Sequence, residues 1–464
     1  MLNNLKLKKM KIISKTIKLL PVFLVVLGLT ACSDDDGNEP INVCTADAGT
    51  LTASASSVSL SNGTATISAT PDGNISVPQN YEVTYVLTSG SELVIEDAGA
   101  APSFDVTTAG SYTIHTLVAE TSDSTDSNYL DLSVINFGTT TGGDVLNLVG
   151  TAGICASLDV AGAPVEVTFT IVDLALDNDL TSLAAALTAT DLVSTLQGPG
   201  PFTVFAPTNE AFTNLLAATG IDLDNMTVEQ EALVKNILLN HVIIGETISS
   251  TDLVAAGSGY ANTGATGPND ANLSLYFTTS NGVMLNGMST VTNADNTATN
   301  GIVHIVNTVI MLPTIATFAT TNPALSSLVD ALVLADTGTP TVPYIETVSN
   351  PAAGPFTVFA PTNDAFADLL LELDPSGNTA LGDLDPATVD AVLLMHIVGT
   401  NVQSSGLPNG TVTALGGDIT ADNVAFTLTD PNERVSQIIT TLVDIQSING
   451  VVHVIDTVLL PLQD

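Results

Sequence analysis

Cationic side chains are almost missing from this 464-residue chain, and most of the few it has crowd into its first eighteen positions. Lys6, Lys8, Lys9, Lys11, Lys15 and Lys18 account for six of eight, leaving only Lys235 and Arg434 for everything that follows. No carboxylate precedes Asp34, so from Cys32 onward two cations face 48 acidic residues, a formal charge of −46. A chain so poor in Lys and Arg cannot neutralise phosphates, which excludes nucleic acid as a partner. Self-repulsion at this charge is relieved by salt or divalent cations. Also missing are His-Glu-x-x-His, Cys-x-x-Cys and Gly-x-Ser-x-Gly, so the sequence offers no metal-ligand set and no activated serine. Paired carboxylates of the kind that hydrolyse polysaccharides need a localised acid/base constellation. None stands out among so many acids, and the chain is read as a non-enzyme.

The amino terminus reads as an export signal. A lysine-rich stretch precedes the apolar run Leu19–Leu29, too short to span a bilayer comfortably, and small residues close it at Leu29-Thr30-Ala31-Cys32. That tetrapeptide resembles a bacterial lipobox, implying a signal peptide over 1–31 and acylation of Cys32. Ser33-Asp34-Asp35-Asp36 resembles the acidic export tag of Bacteroidetes surface lipoproteins. The expectation is an outer-membrane, lipid-anchored protein facing the exterior, on an acidic tether at 32–43. Cys44 and Cys155 then remain, and outside the cytoplasm their pairing in a disulfide is the simplest outcome.

The 433 residues from Cys32 suggest about three domains. Over 44–168 short alternating runs separated by Gly, Pro, Asn and Asp predict an all-β, immunoglobulin-like sandwich. Its strands include Ala65–Ala69, Tyr81–Leu87 and Ser111–Val118, and alternation puts His115 on the solvent side. Asp123–Asn128, like Asn293–Asn296, has oxygen donors for calcium but lacks the EF-hand spacing. Turn chemistry is the favoured reading of both. No cofactor is expected.

From about Phe169 helical patterns join the strands, and the chain repeats itself. Gly200–Phe212 returns as Gly354–Phe366 with one change, Asp364 for Glu210. Asn300–Val309 returns as Asn449–Val458. Phe202 and His304 are 102 residues apart, Phe356 and His453 97, so one folded unit occurs twice. Each unit reads as α+β. Thr227–Gln230 fits a capping box, and Asp385 followed by Pro386 fits a helix start. Leu233, Ile237 and His241 in the first copy, and Val389, Val392, Leu393 and His396 in the second, predict one buried helical stripe carrying a histidine. His241, His304, His396 and His453 are read as hydrogen-bonded structural residues.

The two blocks resemble the signature motifs of the fasciclin (FAS1) family: Gly-Pro-Phe-Thr-Val-Phe-Ala-Pro-Thr-Asn-x-Ala-Phe, then Asn-Gly-x-Val-His-Val-Ile-Asp-x-Val closing at Pro313 and Pro461. The resemblance implies two compact α+β domains, 169–313 and 314–464, and a role in adhesion. It also marks contact candidates: His241 and His396, where Asn240-His241 and Met395-His396 replace the family's Tyr-His, and the acidic–aliphatic pair Asp444-Ile445, for which the first copy has Asp295-Asn296. The implied partner is a surface protein or glycan, with the membrane reached through the lipid. The alternative is an acidic stalk or coat component without a specific ligand.

Overall fold

The computed structural model describes residues 44–60 and 63–462. The expected signal peptide at 1–31, the acylated Cys32 and the tether at 32–43 lie outside the described residues. Among the described residues no single helix is long and apolar enough to cross a membrane.

The N-terminal module is built on two sheets. Leu51–Ala53, Ala65–Pro71 and Ser103–Val106 form one. Ser57–Ser59, Ala163–Thr168, Gly110–Ala119, Glu82–Ser89 and Val94–Gly99 form the other, in that order. Ile67 and Phe104 from the first sheet meet Leu87, Tyr112, Ile114 and Val165 from the second in one core. The module is not all-β, however. A helix, Gly142–Ala152, and a 3-10 turn, Leu132–Val134, lie against the far face of the larger sheet.

That third layer overturns the expected exposure of His115. Its ring is buried, with Nδ1 against the Asp159 carbonyl at 2.8 Å and Nε2 against the Thr88 hydroxyl at 3.0 Å. Alternation marked the correct face but could not show that residues 130–158 would cover it.

Cys44 and Cys155 are both disulfide-bonded. In the chain-entropy model a loop of this length is worth about 4–5 kcal/mol. Cys155→Ser is therefore expected to lower the denaturant midpoint of the N-terminal module and to leave the repeats' transitions in place. Identical midpoints with and without the bond in chemical unfolding would refute this.

Each repeat is organised by its two motifs lying side by side. Phe202–Pro207 pairs in parallel with Gly301–Val306, Phe205 opposite His304. Phe356–Pro361 pairs likewise with Gly450–Ile455, Phe359 opposite His453. Val242–Ile244 and Ile397–Val398 flank them antiparallel. These strands are covered on both faces, which is why they read as near-continuous apolar runs. In the first repeat Val204, Ala206, Val303 and Ile305 face the helices, and Phe205 and Val306 face a second core with Ile243 and Leu285. In the second repeat Val358, Val452 and Val454 take the helical side and Phe359 and Ile455 the other. The copies differ beyond this centre. The long strand Ser289–Ala298 joins the first repeat's strands into one seven-stranded sheet, whereas the second divides into two four-stranded sheets.

The helices start where the sequence places them. Thr227 and Gln230 form the capping box of Val228–Leu239, and the Asp385 carboxylate accepts from the Thr388 amide at the head of Pro386–Leu394. The stripe through Leu233 is corrected: Leu233 is 41% exposed, and the buried face runs through Val234, Ile237 and Leu238. His241 and His396 stand two residues beyond the last helical residue, in the turn into the next strand.

Candidate functional site

Polar residues at equivalent positions of the two repeats make the same hydrogen bonds twice. His241 Nδ1 donates to the Ile237 carbonyl at 2.7 Å, and Nε2 accepts from the Ile310 amide at 2.8 Å. His396 makes the same pair of bonds with the Val392 carbonyl at 2.8 Å and the Leu459 amide at 3.0 Å. Each ring thus pins the end of a helix to the segment that follows the second motif. Burial holds both imidazoles neutral and pushes their pKa down to about 4.

The second histidine of each copy joins the motif strand to two neighbouring segments. His304 Nδ1 accepts from the Asp295 amide at 3.2 Å, and Nε2 donates to the Ile248 carbonyl at 2.9 Å. His453 repeats this with the Asp444 amide and the Val402 carbonyl. Each ring stacks on the phenylalanine opposite, Phe205 at 5.4 Å and Phe359 at 5.8 Å. His453 is also held below the ordinary histidine range by burial.

Three further pairs were not singled out from the sequence, although every member but the serines lies in a repeated block. Thr203 donates to the Glu246 carbonyl and accepts from the Ile248 amide; Thr357 does so with Thr400 and Val402. The Asn300 carboxamide accepts from the Ile171 amide and donates to the carbonyls of Leu196 and Gly198. Asn449 binds Ile315, Val348 and Asn350 in the same way. Ser250 donates to the Asp295 carboxylate and Ser404 to that of Asp444. The motif glycines follow from the same crowding. A Cβ on Gly301 would stand 2.1 Å from the Phe202 carbonyl oxygen, and one on Gly450 2.3 Å from that of Phe356.

The contact candidates therefore need correction. His241 and His396 are buried and fully bonded. Ile445 is only 2% exposed and packs in the second repeat's core with Tyr276 of the first. Beside it the Gln446 amide donates to the Ser274 hydroxyl at 3.0 Å, across the junction between the repeats. Asp444 is partly open, but both carboxylate oxygens accept from Ser404, at 2.6 and 2.5 Å. The sequence could not reveal that the aliphatic member of the pair, Ile445, sits under the neighbouring repeat. The Gln446–Ser274 bond beside it joins residues 172 positions apart.

Nor does the network suit nucleophilic catalysis. Ser404, Asp444 and His453 lie in series, yet the serine donates to the carboxylate and the imidazole Nε2–H faces a carbonyl. The imidazole does not reach the serine oxygen, and both its nitrogens are engaged by backbone groups, so the histidine–serine pairing of such chemistry is not formed.

Asp123 accepts from the Thr125 amide and hydroxyl, Asp126 from the Asn128 amide, and Asn128 from the Cys155 amide. Asn293 and Asn296 bond each other across a bulge in the strand Ser289–Ala298, rather than in the turn expected from the sequence. Among the described residues no group of three or more His, Cys, Asp or Glu is placed to hold a metal ion.

Two copies of an α+β unit, each closed by the same Thr, His and Asn brackets, define a tandem-domain protein whose signature residues are scaffold. The fasciclin domain model matches residues 178–313 and 326–461, and the chain belongs to the fasciclin family. Protein sll1483 of the cyanobacterium Synechocystis is 36% identical over 158 residues, covering 33% of this chain and 79% of that protein. Human periostin is 28% identical over 240 residues, 51% of this chain and 24% of periostin. The chain thus spans about a quarter of periostin's length. A solved FAS1 domain pair from the insect cell adhesion molecule fasciclin I aligns at 18% identity with a TM-score of 0.36, over 63% of this chain and 95% of that one.

Proposed function

We propose that the protein is an adhesion or binding protein of the bacterial surface. In this reading it is a lipoprotein of a Bacteroidetes-type cell, held in the outer membrane by acylated Cys32 and facing outward. The N-terminal two-sheet module acts as an immunoglobulin-like spacer, and the fasciclin pair contacts a surface protein or glycan. One observation carries the choice of binding over catalysis. In both copies the motif side chains, His304 and His453, Thr203 and Thr357, Asn300 and Asn449, are engaged by backbone partners, which leaves the exposed surface around them for a ligand. Two repeats in tandem let weak contacts reinforce one another through effective concentration.

Cells displaying the full chain are expected to attach to one another or to glycan-coated surfaces more than cells carrying Cys32→Ala, which cannot be acylated. Envelope and glycan extracts passed over the purified chain, in calcium and in chelator, should yield a retained partner. Equal attachment by both cell types with nothing retained would remove the adhesive reading and leave an acidic coat component.

A further inference from the structure

The N-terminal module has a feature that a plain spacer does not need. The outer face of its larger sheet is apolar, and the segment that covers it does not fill the space beneath. Leu130, Leu132, Leu148 and Val149 pack with Leu117 and Leu158 at one end. Beside them a cavity of about 280 Å³ remains between the sheet and the start of helix Gly142–Ala152, lined by Val86, Ile95, Leu117, Val145 and Leu158. The cover is a formed layer. The Ile95 amide donates to Thr140, Gly138 to Ile95 and Gly142 to Leu93, and Thr141 and Asp144 make the helix's capping box.

The lining defines what would fit. Its only polar side chains are Thr84, Thr88 and His115. Both His115 nitrogens are engaged and burial lowers its pKa, so at neutral pH no charge faces the space. Water needs two to four polar partners to occupy such a site, and apolar cavities stay dry. A carboxylate or phosphate in this space would meet no cation, which disfavours an anion. The space is also far too small for a helix, whose diameter is about 10–12 Å. Phe137, Leu146 and Val160, all exposed, line the same space. Room at the helix start comes from Gly142, where a Cβ would meet Leu93 at an ordinary 3.5 Å.

We propose that this cavity binds an uncharged, compact apolar molecule. Scaling from the benzene-binding cavity of about 150 Å³ gives roughly eleven non-hydrogen atoms.

The test titrates the full chain with 2-naphthol and, separately, with the anion 2-naphthoate, following ligand fluorescence. Saturable one-site binding of 2-naphthol is expected, with naphthoate roughly tenfold weaker or worse. Gly142→Leu should fill the space, abolish binding and keep or raise the melting temperature. Leu146→Asp alters only an exposed lining residue and should weaken binding roughly tenfold, which keeps the test valid if the first variant misfolds. Absence of saturable 2-naphthol binding, equal affinity for the two probes, or unchanged affinity in folded variants would overturn the proposal. A stabilised Gly142→Leu chain whose parent binds nothing would show a packing void only.

Discussion

Asn449→Ala is expected to destabilise the second repeat by about 2–5 kcal/mol, since it strips the buried Ile315 amide and Val348 carbonyl of their side-chain partner, while the Asn350 carbonyl keeps the Ala353 amide. The Asn449 carboxamide ties the amide of Ile315, at the start of the first helix of the repeat, to the carbonyls of Val348 and Asn350. The side chain is 1% exposed, so water cannot replace what is lost. Denaturant unfolding of the full chain should show the second repeat's transition moving to lower midpoint while the N-terminal module holds. A shift under 1 kcal/mol would mean the bracket is not needed. Asn300→Ala should act in the same direction in the first repeat but less strongly, because its partners are equivalent while the side chain is only half-buried.

Mild acid is the second large perturbation. His241 and His396 have folded pKa values near 4, below the ordinary 6.5 they regain on unfolding. Depressed folded values mean that the unfolded chain binds more protons. The stabilisation is complete above pH 6.5 and is lost as pH falls from there towards 4. Each histidine is expected to cost about 1 kcal/mol between pH 7 and 5.5, and about 3 kcal/mol by pH 4. His115 and His453 shift in the same direction for the same reason, burial. Most carboxylates titrate below about pH 4.5, so the upper part of this window belongs to the histidines. Stability measured by denaturant at pH 7, 6 and 5.5 should fall steadily, with about two protons taken up on unfolding. A flat profile would show that the rings are not neutral and buried.

Much of the architecture was legible because repetition does the work that a single periodic segment cannot. Two blocks recurring at matched spacing mark a duplicated unit, and the structure makes those blocks neighbouring parallel strands. Caps were legible too, because a cap is a local hydrogen bond: Thr227 with Gln230 and Asp385 with Thr388 lie three residues apart. Local pattern and structure part where exposure depends on a distant segment or on which helix face is covered. Alternation puts His115 in solvent because it describes one sheet, not a further layer laid over it. The four-residue spacing puts Leu233 inside because such a spacing fits more than one face of a helix.

From the chain alone came the duplication, the class of each element, the capped helix starts and the identity of the family, all properties of residues close in sequence or repeated in it. Tertiary structure alone decided which polar groups are spent and which surfaces are open. It turned the histidines and asparagines into brackets, put Ile445 beneath the neighbouring repeat, and left a neutral cavity under the N-terminal helix. The physical reason is that burial and hydrogen-bond partnership are set by what lies across a contact, and here the partners are tens to hundreds of residues away.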